Sequence, residues 1–545
     1  MSNKKLILLL VIPLLLGCSR GKKPTSSSET SFSSSKSESI SESESKSESL
    51  SSSSEESSSY SSSEYSSSSS SSEDIPSSSE TSSSDSSSSS EDTLWDHSQD
   101  YLRTGNRDID FYNLNDLHGA IEYSSNEPGI AKISTYLANK RNANPNGYVI
   151  TSSGDMWQGS ADSNITRGAL INTWMDYEGF AAMAIGNHEF DWKIETIIEN
   201  RDKTQTPFLA ANIIYTESRD NIEWAKPYTT ITRNGVHIGI IGTIGQGITN
   251  SILATNVKGL TFDNPLKYVK KHSEYLRENG ADVILLLAHD SVFNLDYEIG
   301  NYVDGIFGGH NHRTERTLVN NTPAVEGQSN GKFVSHIGIR MNFTTMQSSY
   351  TSYEYDNSGL LNMTPNPSVE QIKAMYADEI DAIKNVQVAN NPNYLSTGEG
   401  VPHTYNQYAY RYYYDNYGQR DIYAVCTNNG RAYIPYGIVT YGDIYKALPF
   451  DNYLCLIYAS GAHIKEICSY ASSHWYIPSV GSNHISYDNA SAYFNDSTYY
   501  YVLTIDYIAV GEYYASWMNI ETTFYEEEAL PRNIVSHYLA IDYPL

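Results

Sequence analysis

Cysteine is nearly missing from this sequence: four in 545 residues, at Cys18, Cys426, Cys455 and Cys468. None of them has the spacing of a thiolate metal site. The last three are an odd set, so any disulfide among them leaves one thiol over. Positive charge is also short. Lys and Arg number 36 against 64 Asp and Glu, a formal net charge of -28, and nothing resembles the basic stripe that duplex nucleic acid demands. Long apolar runs are lacking too, since the run from Leu6 to Leu16 is too short to span a bilayer comfortably. Tyrosine is plentiful, at 46 residues, and reads as a compositional habit rather than a functional device.

What is present begins with a secretory pattern. Lys4 and Lys5, the apolar run and then Gly17-Cys18 have the order of a signal over residues 1–18. Leu15-Leu16-Gly17-Cys18 resembles the bacterial lipoprotein box, which makes Cys18 the expected lipidation site; an ordinary cleaved signal or an uncleaved anchor are the alternatives. All three place the chain outside the cytoplasm. Residues 19–94 follow as a tether, almost entirely Ser and Glu from Thr25 to Thr93. So few apolar groups cannot offset the entropy of ordering, and disorder is expected. A tether of about 70 residues reaches roughly 45–50 Å, further if its like charges repel.

From 95 to 356 apolar runs alternate with amphipathic stretches. Strands are expected at Ile109–Asn113, Tyr148–Thr151, Ala181–Ile185, Phe208–Ala211, Val236–Gly242, Val283–Ala288 and Gly305–Phe307. Helices are expected at Ile130–Lys140, Leu170–Glu178 and Pro265–Asn279. This alternation predicts an α/β layered sheet, in which ligands bind beyond the carboxyl ends of strands. Polar motifs stand at those ends: Asp116-x-His118, Gly154-Asp155, Gly186-Asn187-His188-Glu189-Phe190-Asp191, His289-Asp290 and Gly308-Gly309-His310-Asn311-His312. A lone His after a strand is ordinarily a packed or surface residue. Five segments with the same grammar point instead to a shared site. Asp, His and Asn donors without thiolates suit zinc, manganese, iron or related divalent ions. Such cations would also supply the positive charge that an acidic protein needs when it handles anionic phosphate.

These motifs resemble the calcineurin-like metallophosphoesterases, and more closely the secreted 5′-nucleotidase, UDP-sugar hydrolase and 2′,3′-cyclic phosphodiesterase family. The resemblance implies a four-layer α/β metallophosphoesterase β-sandwich flanked by helices, followed by a smaller α/β substrate-binding domain. It implies two divalent ions, one held by Asp116, His118 and His312 and the other by Asn187, His289 and His310, with Asp155 bridging. His188 would stabilise charge developing on the phosphoryl group or leaving oxygen, with Asp191 orienting it.

Residues 357–385 read as linker and helix, with Ser368 able to cap a helix on which Val369, Ile372, Tyr376, Ile380 and Ile383 recur. Residues 386–545 resemble the C-terminal domain of the same family. There Arg431 would grip an anionic group, as a guanidinium does bidentately. Phe450 would stack a base with Asn452 beside it, and Tyr507 would be the opposing aromatic; a packed core Tyr is the competing reading of Tyr507. This chain departs from the pattern at Cys426, where Asn is expected, and at Gly511-Glu512-Tyr513. It also offers no Arg between Asn390 and Gly400, leaving Arg411 and Arg420 as candidate substitutes. The expected activity is extracellular hydrolysis of nucleotides to nucleoside and phosphate by a lipid-anchored enzyme. The alternatives are a 2′,3′-cyclic phosphodiesterase with 3′-nucleotidase activity, a UDP-sugar hydrolase, or a surface adhesion or nucleotide-binding lipoprotein that has kept the scaffold.

Overall fold

A computed structural model describes residues 94–469, 474–483, 485, 488–510 and 520–545. The expected lipidation site at Cys18, the signal and all but the last residue of the tether lie outside these residues, as do Gly511, Glu512 and Tyr513. No described helix is long and apolar enough to cross a membrane.

The first part of the described chain builds two six-stranded sheets. One has the order Gln347–Asp356, Val334–Asn342, Asn106–Leu114, Tyr148–Ser152, Met183–Ala184, Phe208–Leu209. The other runs Glu315–Val319, Thr322–Glu326, Gly305–Phe307, Val283–His289, Val236–Ile244, Tyr228–Arg233. The central strands of each are parallel, so their carboxyl ends share one edge.

Side-chain alternation decides how the layers stack, because successive residues of a strand point to opposite faces. On Val283–His289, Val283, Leu285 and Leu287 join Ile109, Phe111, Val149, Ile238 and Ile240 in one core between the sheets. Ile284, Leu286 and Ala288 face the other way, against Tyr268, Val269 and Leu276 of helix Pro265–Glu278. On the other sheet Tyr112, Leu114 and Ile150 meet helices Gly129–Ala143 and Ala169–Glu178. Both faces of the central strands are therefore buried, which explains their near-continuous apolar sequence, and the order is helix, sheet, sheet, helix. Truncating a fully buried residue such as Leu285 to Ala would cost about 2–5 kcal/mol.

All seven expected strands and all three expected helices of this region form, with ends shifted by a few residues. Helix Pro367–Lys384 also forms, but its cap differs from the expectation. Asn366 caps it, accepting from Ser368 N–H at 2.9 Å with Pro367 in the first turn. Its apolar stripe belongs to the first region: Val369 and Ile380 join the outer core there, and Tyr376 bonds Thr173 at 2.7 Å.

A third six-stranded sheet follows, ordered Gly481–Asn483, His474–Ile477, Ile422–Thr427, Tyr499–Ile505, Leu454–Ser460, Ile520–Phe524. It packs against helices Gly400–Asn416 and Pro531–Asp542 around its own core. Cys426, Cys455 and Cys468 are buried there as free thiols.

Candidate active site

Each motif lies where a parallel strand ends and the backbone turns sharply. Asp116, His118, Asp155, His310 and His312 all have positive φ, from 48° to 78°. Non-glycine residues adopt that conformation at a cost of order 1–3 kcal/mol, and it persists where surrounding structure enforces it. Two glycines permit the crowding. A Cβ on Gly154 would lie 2.7 Å from Gly186 N, and one on Gly186 would lie 2.2 Å from Asp155 Oδ1.

The turns aim seven side chains at one another. Nε2 of His118 and Nε2 of His312 are 2.9 Å apart, and Asp116 Oδ1 lies 3.5 Å from His312 Nε2. Beside this group, Asn187 Oδ1 is 3.0 Å from His289 Nε2 and 2.9 Å from His310 Nδ1, while Asp155 Oδ2 is 3.4 Å from His289 Nε2. Asp155 also groups with His118 and His188, so its carboxylate belongs to both halves.

The donor chemistry suits cations. Nδ1 of His118 donates to the Gln158 carbonyl at 2.9 Å and Nδ1 of His289 to the Ser153 carbonyl at 2.8 Å. The Nε2 lone pairs are thereby turned inward, the usual arrangement of a metal-ligating histidine. His118 Nε2, 2.9 Å from His312 Nε2 and close to the Asp116 carboxylate, makes a donor set that a cation fits. The electrostatics divide these donors. Burial lowers His118 to about 3 and His310 to about 4. Burial alone would also lower His289, but the Asp155 carboxylate overrides it and raises that ring to about 10. Burial and the Asp155 charge raise Asp116, while Asp155 is held well below the usual carboxylate range by His289 and His188 against its own burial.

His188 stands over Asp155, its backbone N–H donating to Asp155 Oδ1 at 2.8 Å. Its Nδ1 is 2.8 Å from Asp191 Oδ2, three residues on along a 3₁₀ turn, where side chains three apart eclipse. Burial would lower His188, yet Asp191 and then Asp155 raise it to about 9.

The residues expected to face substrate are only partly gathered. Phe450 stacks on His188, centroids 5.8 Å apart and planes at 22°, and the Arg431 guanidinium lies 4.8 Å from the Phe450 centroid. Asn452 is half-buried on the same loop. Tyr507 packs against the core of the third sheet, at the second residue of helix Asp506–Val510. Arg411 and Arg420, the candidate substitutes, are each engaged in an ion pair. Arg411 bonds Asp542 at 2.8 Å and Arg420 pairs with Glu521 at 3.3 Å.

Four supporting residues escaped the sequence reading. Glu189 is fully buried and accepts three backbone N–H bonds, from Asp155, Met156 and Gly186 at 2.8–2.9 Å, tying two motif loops together. It lies inside a motif already singled out, so its position was the available clue. Arg532 pairs with Asp451 and donates to the Phe450 carbonyl at 3.2 Å, bracing the aromatic loop; it is some 80 positions away, and no sequence pattern marks it. Gln158, which orients His118, also donates to the Pro449 carbonyl at 3.2 Å, alongside Asn164 at 2.9 Å.

Residues 109–314 match the calcineurin-like phosphoesterase family, and residues 407–480 match the 5′-nucleotidase C-terminal domain. The chain carries a calcineurin-like phosphoesterase domain, which makes it a hydrolase. Calcineurin-like phosphoesterases use divalent metals. Among curated relatives, an apyrase of Tabanus yao is 25% identical over 414 residues, 67% of this chain and 73% of that one. Cell wall protein Lmo0130 of Listeria monocytogenes is 24% identical over 433 residues, 66% of this chain; the match spans about half of the relative, 55%. Among solved structures, a 5′-nucleotidase precursor from Thermus thermophilus superposes with a TM-score of 0.61 at 18% identity, covering 80% of this phosphoesterase and 97% of that chain. At that identity the likeness concerns the fold.

Proposed function

We propose that this phosphoesterase hydrolyses nucleotide phosphoesters outside the cell, releasing nucleoside and phosphate. The observation that carries the reading is the convergence of seven Asp, His and Asn donors beneath a His188–Asp191 pair that is itself covered by Phe450 and Arg431. Asp116, His118 and His312 would hold one divalent ion, Asn187, His289 and His310 a second, with Asp155 shared. Bound there, zinc- or manganese-type ions would polarise a phosphoryl oxygen and furnish a water-derived nucleophile near neutral pH.

The remaining work falls to the chain's own groups. Asp191 fixes the His188 ring so that its free nitrogen faces the site and donates to an ester oxygen as charge builds there. Arg431 meets the anionic end of the substrate and Phe450 offers a face to the base. Burial of Asp116, Asp155 and His289 keeps bulk water from screening these interactions. The Cys18 motif and the Ser/Glu tract add a lipid-anchored location on the outer face of the cell membrane.

Phosphate release from AMP, UDP-glucose and 2′,3′-cyclic AMP, with and without divalent ions, tests the reading. No metal-dependent release from any of them, with wild type as silent as His188→Ala, would overturn it. A second reading, a 2′,3′-cyclic phosphodiesterase with 3′-nucleotidase activity, is favoured by the engagement of Arg411 and Arg420 elsewhere. That leaves Arg431 as the guanidinium stacked on Phe450, and a cyclic diester carries one charge fewer than a monoester. Faster turnover of 2′,3′-cyclic AMP than of AMP would select it.

A further inference from the structure

A separate cluster of donors lies at the start of the described residues. His97 and Asp100 are three residues apart on the 3₁₀ turn His97–Leu102, whose three-residue period puts them on one face. Opposite them, His237 projects from strand Val236–Ile244 of the second sheet. Donor atoms of His97, Asp100 and His237 all lie within 4.8 Å of one another.

The details are those of a coordination site. His237 Nδ1 faces the Gly280 carbonyl at 3.3 Å, which fixes that nitrogen as the donor. Its Nε2 is left confronting Asp100 Oδ1 at 3.6 Å. Two acceptors face to face repel unless a cation or a proton lies between them. The backbone carbonyl behind His237 is the partner that a ligating histidine ordinarily has. The ring is further pinned by Trp95, stacked at 5.3 Å and 11°. His97 lies against Gly280, where a Cβ would fall 2.7 Å from its Cε1, and meets His237 edge-on at 5.1 Å. Arg103 meets both oxygens of the Asp100 carboxylate, the pair that also faces His237 and His97, at 3.0–3.1 Å and also bonds Asp282. Two carboxylates, Asp100 and Asp282, meet this one guanidinium, so the local balance favours a further positive charge.

We infer that His97, Asp100 and His237 bind a divalent transition-metal ion that fastens the turn His97–Leu102 to the second sheet. Two imidazoles and one carboxylate suit the zinc, cobalt and nickel class. His97 is the more open of the two histidines, with 41% of its side chain exposed against 4% for His237, leaving room for water in a fourth position. The site is distinct from the seven donors of the phosphoesterase centre, and its role is to anchor the turn.

The test uses the full chain loaded with zinc, desalted and assayed for bound metal, beside His97→Ala and His237→Gln. The expected result is one ion fewer per chain in each variant, with phosphate release unchanged. Hydrogen exchange across Trp95–Arg103 should slow with zinc in wild type but not in His97→Ala. Equal metal content in wild type and His97→Ala, or zinc-independent exchange of that segment in wild type, would overturn the inference and leave proton sharing between His237 and Asp100 as the explanation. Because the comparison is a difference between variants, failure of the nucleotidase reading would lower all samples alike and would not mimic this outcome.

Discussion

Five of the seven donors in the first region sit on left-handed backbone at strand ends, whereas Arg431, Phe450 and Tyr507 sit on ordinary backbone. The first group is placed by local chain geometry and short loops. The second is placed by contacts from afar, including Arg532 behind Phe450 and Gln158 and Asn164 across from Pro449. A site built the first way is a rigid place for chemistry. A site built the second way can be retuned by remote substitutions, so under the proposed roles reaction and substrate choice are separable.

Substitutions in the two regions should therefore fail differently. The largest effect is expected from Asp155→Ala, which removes the carboxylate common to both donor groups; bound metal and activity should vanish together, and a variant with full metal content would break the contrast. His188→Ala should lose about 10²–10³-fold in kcat while keeping its metal, read by steady-state phosphate release beside elemental analysis. Glu189→Gln turns one acceptor of three N–H bonds into a donor, and metal affinity should weaken about 10- to 100-fold in a competition titration.

On the other side, Phe450→Ala should raise KM for AMP about tenfold, since one stacked base is worth about 1–3 kcal/mol. Glycerol phosphate, which has no base, should be indifferent to the change. An equal effect on both substrates would show Phe450 acting on His188 instead. The smallest effect concerns pH. Asp506, buried beside Tyr507, is raised to about 7 by burial, with Asp191 and Asp451 adding to it. Between the ordinary Asp value and about 7 the folded chain holds a proton that the unfolded chain releases, so stability falls as pH rises through that window. Melting temperature should drop by a few degrees over it, and Asp506→Asn should flatten the slope.

The same contrast explains what could be read in the sequence. Strand runs such as Val283–His289 announce themselves because both faces are apolar, and the ligand motifs follow them within a few residues. Asp116, His118, Asp155, Asn187, His289, His310 and His312 were thus visible as candidates before any coordinates. Strands Val334–Asn342 and Gln347–Asp356 were not: the latter is Ser- and Tyr-rich and largely exposed, and its place is set by pairing with its neighbour. The Asn366 cap was missed because Ser368 offered an equally good local signal two residues on. Arg532 and the Trp95–His97–His237 cluster join residues far apart in the chain, and no local pattern encodes such a meeting.

The most direct test of the central claim, that this fold holds a two-ion phosphoesterase centre worked by His188, pairs two readouts on the same samples. Metal-reconstituted wild type and His188→Ala are compared for phosphate released from AMP and for ions bound. The expected result is metal-dependent release in wild type, its collapse in His188→Ala, and the same metal content in both. Undiminished release by His188→Ala, or a fully metal-loaded wild type that releases no phosphate from any nucleotide, would contradict it.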